Sequence, residues 1–236
     1  MSDEKITVVL LHAFPLSSAM WQPQVEALGK EYRLITPDLP GFGSNPVTTA
    51  SIAQMADDVA ARIHEPVVLG GLSMGGYVVL AYARKYPLKG LILADTKAEA
   101  DDAIGKANRD KMIAFAESHT AREVIDSVMP KMAITPHAVE KVRALASKQS
   151  SAGIVNAVRA MRDRPDSSDV LPTIRVPTLV IVGREDQLTP LPVAQSLAGR
   201  IAGAKLEVIP GAGHISNLEN PAAFNEALRK FLRSLA

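Results

Sequence analysis

The stretch Val67-Val68-Leu69-Gly70-Gly71-Leu72-Ser73-Met74-Gly75-Gly76-Tyr77 decides the fold. It begins as an apolar run of strand length, passes through a serine flanked by glycines, and continues into an apolar helical stretch. A serine on such a tight strand-to-helix turn lies in strained backbone and presents its hydroxyl outward. Gly71 and Gly75 leave the room that close chain approach beside the turn requires. The stretch therefore predicts Ser73 as a nucleophile, followed by a helix that starts at Met74.

A glycine-rich turn between a strand and a helix can also cradle a phosphate group. That function requires a lysine and then a serine or threonine after the last glycine, whereas Gly76 and Tyr77 follow Gly75 here. No Gly-x-Gly-x-x-Gly pattern is present in the sequence either. The pattern therefore favours a nucleophile over a phosphate site.

Short apolar runs alternate with amphipathic stretches along most of the chain. The runs lie at 6–11, 33–36, 66–69, 90–94, 178–182 and 206–209, and the amphipathic stretches at 18–29, 51–64, 74–86, 190–201 and 219–235. Continuous hydrophobicity is typical of parallel strands that are covered on both faces. The alternation predicts βαβ units, and hence an α/β protein with a mostly parallel sheet between two helical layers. In such a sheet the active site lies outside the carboxyl ends of the strands.

Residues 99–169 interrupt this alternation, because they show helical patterning without a convincing strand run. The segment leaves the sheet after one strand and returns before the next, near the strand ends where the site is expected. We therefore predict a core formed by residues 1–98 and 170–236, with a helical cap, or lid, at 99–169. The alternative is a lateral helical decoration that does not cover the site.

Composition narrows the class of protein. The 236 residues are 47% hydrophobic, which suffices for one full core. Lys plus Arg total 26 and Asp plus Glu total 25, a balance that gives no reason to expect nucleic acid as a partner. The chain has no cysteine, which excludes thiolate catalysis, and it has no His-x-x-x-His pattern, so neither a metal nor another cofactor is expected.

The N-terminal apolar run, at residues 6–11, is too short to span a membrane. Acidic residues precede it, where a signal peptide would carry positive charge. The sequence therefore predicts a cytoplasmic protein without a membrane span, and it gives no indication of the oligomeric state.

A serine hydroxyl is a weak nucleophile until a base, itself oriented by an acid, removes its proton. His214 is the expected base, because it follows the last predicted strand in a glycine-rich loop and lies downstream of the serine. Asp186, directly after the run at 178–182, is the expected acid. Two other carboxylates remain alternatives, Glu185 beside it and Asp95 at the end of the run at 90–94.

An oxyanion hole requires two N–H donors that point at the developing negative charge. The N–H of Met74, the residue after the nucleophile, is the first candidate. Phe14, in the loop after the first strand, is the second, because the neighbouring Pro15 has no N–H. His12 in the same loop is expected to organise the loop rather than to carry protons.

Together these motifs resemble the α/β-hydrolase superfamily over nearly the whole chain. The resemblance rests on five motifs in that family's order: His12-Ala13-Phe14-Pro15, Asp38-Leu39-Pro40-Gly41-Phe42-Gly43, Gly71-Leu72-Ser73-Met74-Gly75-Gly76, Gly183-Arg184-Glu185-Asp186 and Gly211-Ala212-Gly213-His214. It implies the three-layer α/β-hydrolase fold, with about six strands because the chain starts at the family's third strand. It also implies a triad of Ser73, His214 and Asp186. The chain is most similar to small bacterial carboxylesterases and 3-oxoadipate enol-lactonase-like hydrolases.

Two positions bear on what the resemblance implies for activity. Ala13 stands where the family usually has glycine, and we expect its methyl group to narrow the acyl site. Serine rather than aspartate at position 73 argues against epoxide hydrolase and haloalkane dehalogenase activity, which proceeds through an aspartyl ester in this family.

The expected function is hydrolysis of small carboxylic esters through an acyl-enzyme on Ser73. Lactone hydrolysis by the same residues is the alternative, and an anionic substrate would need a cation such as Lys97 or Arg184 under the lid. A third, different class is a hydrolase-like protein that only binds a small ligand.

Overall fold

The structure is a computed structural model and describes residues 5–48 and 50–235. Within these residues, six strands form one entirely parallel sheet in the order β2-β1-β3-β4-β5-β6. The strands are β1 (Thr7–Leu11), β2 (Arg33–Ile35), β3 (Val68–Leu72), β4 (Gly90–Ala94), β5 (Thr178–Gly183) and β6 (Lys205–Ile209). The strand order reverses direction between β1 and β3, and in open sheets of this kind ligands bind outside the carboxyl ends of the strands at such a point.

Ten α-helices accompany the sheet in the described part of the chain. They are α1 (Gln22–Leu28), α2 (Ile52–Ala61), α3 (Met74–Ala83), α4 (Ala103–Ser118), α5 (Ala121–Met132), α6 (Pro136–Ala146), α7 (Ser151–Arg162), α8 (Leu191–Gly199), α9 (Ser216–Glu219) and α10 (Pro221–Arg233). None of the described helices is both long enough and apolar enough to cross a membrane.

Each face of the sheet is covered by its own apolar cluster. Val9 and Leu11 face the cluster that α2, α3 and α8 complete, whereas Val8 and Leu10 face the cluster that includes α1 and α10. This split follows from the two-residue period of a strand, which sends successive side chains to opposite faces. The predicted three-layer architecture and the six-strand count are confirmed.

Strand β3 differs from its predicted bounds, because it starts two residues later and continues through both glycines to Leu72. Glycine is a poor strand former, but here both neighbouring strands hold it: Gly70 pairs with Leu10 on one side and with Ile92 on the other. A side chain at position 70 would come within 2.8 Å of Leu10 Cδ2. The glycines are therefore a packing requirement inside the sheet, and β3 ends directly at Ser73.

Four of the helices, α4 to α7, lie between β4 and β5 in the chain. The strongest helix-to-helix packing among them joins α4 and α7. Helix α7 was not singled out by the sequence pattern; it begins after Ser150, whose hydroxyl accepts a hydrogen bond from the Gly153 N–H. That these helices form a separate cap at 99–169 stays a prediction, as does the division of the core around it.

Gly75 provides a test of the packing at the nucleophile turn. A methyl group at this position would overlap the carbonyl oxygen of Leu11 at the end of β1. We expect Gly75→Ala to lower the free energy of unfolding by about 1–3 kcal/mol or more, as overpacking against backbone does. The measurement is urea unfolding followed by circular dichroism.

Gly199→Ala is the matched control. Gly199 ends α8, and among the described residues no atom outside its own helix lies within 4 Å of the added methyl group. Its replacement by alanine should leave stability unchanged or raise it by about 0.5–1 kcal/mol. Equal unfolding midpoints for the two variants would contradict the packing argument.

Candidate active site

Ser73 lies between the end of β3 and the first residue of α3, with a backbone φ of +54°. Serine rarely adopts this left-handed region, and surrounding structure must compensate for the strain. Its N–H donates to the carbonyl of Ala94 at 2.9 Å, and its carbonyl accepts from the N–H of Gly76 at 2.9 Å and the hydroxyl of Thr96 at 2.9 Å. The turn is thus fixed by the neighbouring strand β4 as well as by its own helix.

The three predicted triad side chains form one continuous chain of hydrogen bonds. The Ser73 hydroxyl lies 2.8 Å from Nε2 of His214, and Nδ1 of His214 lies 2.9 Å from Oδ2 of Asp186. His214 and Asp186 are buried at 3% and 4% exposure, whereas Ser73 is half-buried. The order is that of a nucleophile, a base and the acid that orients the base.

The electrostatics of the pair favour a charged Asp186. Burial alone would raise the pKa of Asp186. The hydrogen bonds from His214 and Thr189 nevertheless hold this pKa below its ordinary value. Burial alone would also lower the pKa of His214, but the hydrogen bond and negative charge of Asp186 outweigh it and raise that pKa. An ionised Asp186 therefore places the proton of neutral His214 on Nδ1, which leaves Nε2 free to accept the proton of Ser73.

Thr189 holds Asp186 in place within the loop after β5, a role that the sequence analysis did not assign to Thr189. Its hydroxyl donates to Oδ2 of Asp186 at 2.7 Å, and its N–H donates to Oδ1 at 3.0 Å. The N–H of Leu188 donates to the same Oδ1 at 2.8 Å. A carboxylate that accepts from the backbone two and three residues later forms an Asx turn, so the spacing Asp186-x-x-Thr189 was a signal for this role.

Neither alternative carboxylate contacts His214 by a hydrogen bond within the described residues. Oε2 of Glu185 accepts from the Ala212 N–H at 3.0 Å. This side chain is therefore directed to the start of the histidine loop, the segment 211–214 that carries His214. Asp95 is fully buried; one of its oxygens accepts from the Gly183 N–H at 2.8 Å, and the other accepts from the N–H and hydroxyl of Ser216. Asp95 therefore links β4, β5 and the start of α9.

The two candidate oxyanion donors lie beside the nucleophile. Phe14 lines the same cavity as Ser73. Met74 is the first residue of α3, so its N–H belongs to the helix terminus, which also contributes a positive dipole end. Whether the two N–H groups act as an oxyanion hole stays a prediction.

His12 organises the loop that carries Phe14. It is fully buried, its Nε2 accepts from the N–H of Leu39 at 3.0 Å, and its Nδ1 lies 3.0 Å from the carbonyl of Ala13. Burial lowers the pKa of His12 to about 4, so the ring is neutral at physiological pH. These contacts tie the loop after β1 to the turn that begins at Asp38.

Ala13 does not line the described cavity. It is fully buried in the apolar cluster with Leu16 and Met20, whereas Phe14 belongs to the other apolar cluster and contacts the cavity. The described wall therefore gives no support to the expectation that the Ala13 methyl group narrows the acyl site.

Glu219 is a second functional position that the sequence pattern did not reveal. Its Oε1 accepts from the N–H groups of Ile134 and Thr135 at 2.6 and 3.0 Å, and its Oε2 accepts from the Gly213 N–H at 2.6 Å. The N–H of His214 also donates to the carbonyl of Met132 at 3.1 Å. The histidine loop is thus attached to the turn between α5 and α6.

A cavity of about 590 Å³ opens over Ser73 and His214. Helices α4, α5 and α7 supply much of its wall, which supports a covering role for this part of the chain. The wall consists of Phe14, Ser73, Tyr77, Lys97, Asp101, Asn108, Arg109, Met112, Ser127, Val128, Pro130, Lys131, Met132, Met161, Leu188, Thr189 and His214. It combines a flexible apolar lining, rich in methionine, with a few charged groups.

Comparisons with known proteins give matches along nearly the whole chain. The model of the alpha/beta hydrolase family matches residues 8–227. A thermophilic esterase from Thermogutta terrifontis superposes with a TM-score of 0.94 at 38% identity, over 98% of this chain and 90% of that chain.

Two curated relatives are similar along nearly their full length. A pimeloyl-acyl-carrier-protein methyl ester esterase from Neisseria meningitidis is 28% identical over 244 residues, which cover 98% of this chain and 95% of the relative. The 3-oxoadipate enol-lactonase 1 from Acinetobacter baylyi is 28% identical over 247 residues, which cover 97% of this chain and 89% of that relative.

The buried Asp95 gives a prediction about stability and pH. Burial, reinforced by the negative charge of Asp186, raises the pKa of Asp95 to about 7. A carboxyl whose pKa is higher in the folded state stabilises the fold fully below its unfolded pKa, and this contribution is lost as pH rises through about 7. Relative to Asp95→Asn, the wild-type protein should therefore lose stability between about pH 5 and about pH 8.5.

The measurement is urea unfolding of both proteins at the two pH values. Asp58→Asn, which removes an exposed carboxylate on α2, controls for the loss of one negative charge. A stability difference between wild type and Asp95→Asn that does not change with pH would show that Asp95 is already ionised under both conditions.

Proposed function

Because the chain belongs to the α/β-hydrolase family and is an enzyme of the hydrolase class, we propose that it cleaves carboxylic esters of small substrates through an acyl-enzyme on Ser73. One observation carries this proposal: the unbroken hydrogen-bond chain from the Ser73 hydroxyl through His214 to Asp186. The esterases among its relatives support the same reaction class.

Acylation begins when Ser73 Oγ attacks the ester carbonyl and its proton passes to Nε2 of His214. Asp186 holds the imidazole by its Nδ1–H and stabilises the imidazolium that forms. The N–H groups of Phe14 and Met74 would bind the oxyanion of the tetrahedral intermediate, where each donor contributes about 3 kcal/mol. Collapse of the intermediate expels the alcohol, which takes the proton from Nε2.

Deacylation repeats the sequence with water as the nucleophile. His214 removes a proton from water, which attacks the acyl carbonyl carried by Ser73. Collapse of this second intermediate releases the carboxylic acid, and Ser73 Oγ takes the proton back from Nε2 of His214. In this proposal helices α4 to α7 act as a lid that limits water at the acyl-enzyme, because three of them, α4, α5 and α7, supply much of the wall of the cavity.

Hydrolysis of an enol-lactone is the second candidate, and the enol-lactonase from Acinetobacter baylyi is the relative that favours it. A lactone is a cyclic ester, so the same residues would open it without a separate leaving alcohol. Binding without catalysis has less support, because all three triad side chains are present and hydrogen-bonded.

No cofactor enters this reaction, and the proposed partner is a small-molecule ester rather than nucleic acid or membrane. We propose a cytoplasmic location, because a chain without cysteine suits a reducing compartment. Fractionation of the native host followed by immunoblotting tests the location independently of the activity.

Replacement of the nucleophile tests the proposal directly. We expect Ser73→Ala to lower kcat for p-nitrophenyl butyrate by about 10⁶-fold, because the three groups act as a unit. The control is Ser147→Ala, which should keep wild-type kcat, because the exposed Ser147 hydroxyl donates to the Arg143 carbonyl of its own helix and lies outside the cavity wall as described. Near wild-type turnover by Ser73→Ala, or failure of a fluorophosphonate probe to label the wild-type protein, would overturn the assignment.

The two acids can be separated with the same assay. Asp186→Asn should lower kcat by about 10⁴-fold, because the amide no longer holds the imidazole in the required tautomer. Asp95→Asn should cost far less activity, since its oxygens contact Gly183 and Ser216 instead of His214. A larger loss in Asp95→Asn would identify Asp95 as the acid.

The pH dependence follows from His214, which must be neutral to accept the serine proton. Its pKa is raised by Asp186, so activity should fall on acidification with a midpoint above the ordinary histidine value of about 6.5. The measurement is the pH profile of kcat/KM for a neutral ester. A midpoint clearly below that value would mean that burial outweighs the carboxylate at His214.

A further inference from the structure

The described wall of the active-site cavity carries more positive than negative charge. Three of its side chains are cationic, Lys97, Arg109 and Lys131, and one carboxylate, Asp101, also belongs to it. The wall therefore has an excess of two positive charges, apart from the histidine of the triad. Such an excess inside a concave, partly closed space attracts an anionic group on the ligand.

Asp101 is the centre of this arrangement. It lies 3.2 Å from Lys97 Nζ, 3.0 Å from Arg109 Nε and 2.9 Å from Arg164 Nη2. Burial would raise the pKa of Asp101, but Arg164 and Arg109 hold it far below its usual range, so this carboxylate stays ionised. One negative charge cannot neutralise three cations.

Arg164 has a supporting role. Its side chain is 3% exposed, and it bonds to Asp101 and to the carbonyl groups of Met161 and Glu99. Its guanidinium also lies over the ring of Tyr77, 4.1 Å from the ring centroid. These contacts fix Arg164 behind the cavity wall and, through Asp101, fix the two cations in front of it.

Arg109 combines a fixed position with free donors. A guanidinium has five N–H donors, and within the described residues Arg109 uses only Nε, which bonds to Asp101. Its side chain is 21% exposed, so the two terminal amino groups are held in place and still accessible. A fork of this kind matches the two oxygens of a carboxylate.

We propose that the substrate hydrolysed at Ser73 carries a carboxylate, which Arg109 and Lys97 bind at the wall of the cavity. This inference rests on the proposed function, since Ser73 and both cations line the same cavity. Arg184, the other cation considered from the sequence, is exposed and lies outside the described wall, so it takes no part. The apolar remainder of the wall, including Met112, suits the aliphatic chain between the ester and the carboxylate.

Two matched pairs of esters test the proposal and locate the carboxylate. Monomethyl adipate and methyl hexanoate differ only in a carboxylate or methyl group at the end of the acyl half. The pair 5-acetoxypentanoate and pentyl acetate differs in the same way in the alcohol half. We expect kcat/KM to favour the carboxylate member of one pair by about 10–100-fold, the effect of hydrogen bonds to a charged group.

Arg109→Gln should remove this preference, because it should raise KM for the carboxylate ester about 10–100-fold more than KM for the neutral ester. Lys97→Gln should weaken the preference in the same direction. The matched control is Arg122→Gln, which removes an exposed cation of α5 that pairs with Asp126 and lies outside the described wall. It should keep the preference. Equal rates within both pairs, or an equal loss for both members in Arg109→Gln, would overturn the proposal.

Binding to Ser73→Ala, measured by calorimetry, separates this proposal from the proposed function. Tighter binding of a carboxylate ester than of its neutral partner, lost in Ser73→Ala/Arg109→Gln, supports the carboxylate site even where the wild-type protein shows no turnover. In that case only the proposed esterase function would fail. Equal binding of both members of each pair would overturn the carboxylate site alone.

Discussion

The contact between the start of α3 and the end of β1 is the constraint on which the site depends. Only a glycine at position 75 lets the helix approach the Leu11 carbonyl so closely. The same turn carries the left-handed backbone at Ser73, and the approach places the helix terminus beside Leu11 and His12, where the loop that carries Phe14 begins. The nucleophile and both candidate oxyanion donors thus share one packing contact, and the strain at Ser73 is balanced by the hydrogen bonds that fix the turn.

The parts of the site that sequence could predict are those set by local geometry and chain order. A serine between glycines at the end of an apolar run specifies a turn by its local sequence alone, and β3 indeed ends there. The order of serine, acid and histidine along the chain then left few candidates for the base and the acid. The choice between Asp186 and Asp95 was harder, because both follow a strand. Their distant partners separate them: His214 for one, Ser216 for the other.

The remaining features depend on contacts between residues far apart in the chain. Arg109 lies on a helix with ordinary polar patterning, and its importance follows from Asp101, which holds it at the cavity wall. The bounds of β3 were missed for a related reason, since its glycines are kept in the sheet by strands on both sides. Sequence periodicity reports burial along one element, but it does not report which charge or strand lies opposite.

Glu219 couples the helical segment α4 to α7 to the loop that carries His214. Its buried carboxylate accepts from two N–H groups of the turn between α5 and α6 and from one in the histidine loop. If a different helical segment replaced α4 to α7, the carboxylate would lose two of these donors, at a cost of about 1–3 kcal/mol or more. The turn at 134–135 and the segment at 213–219 would therefore have to change together, although 77 residues lie between them in the chain.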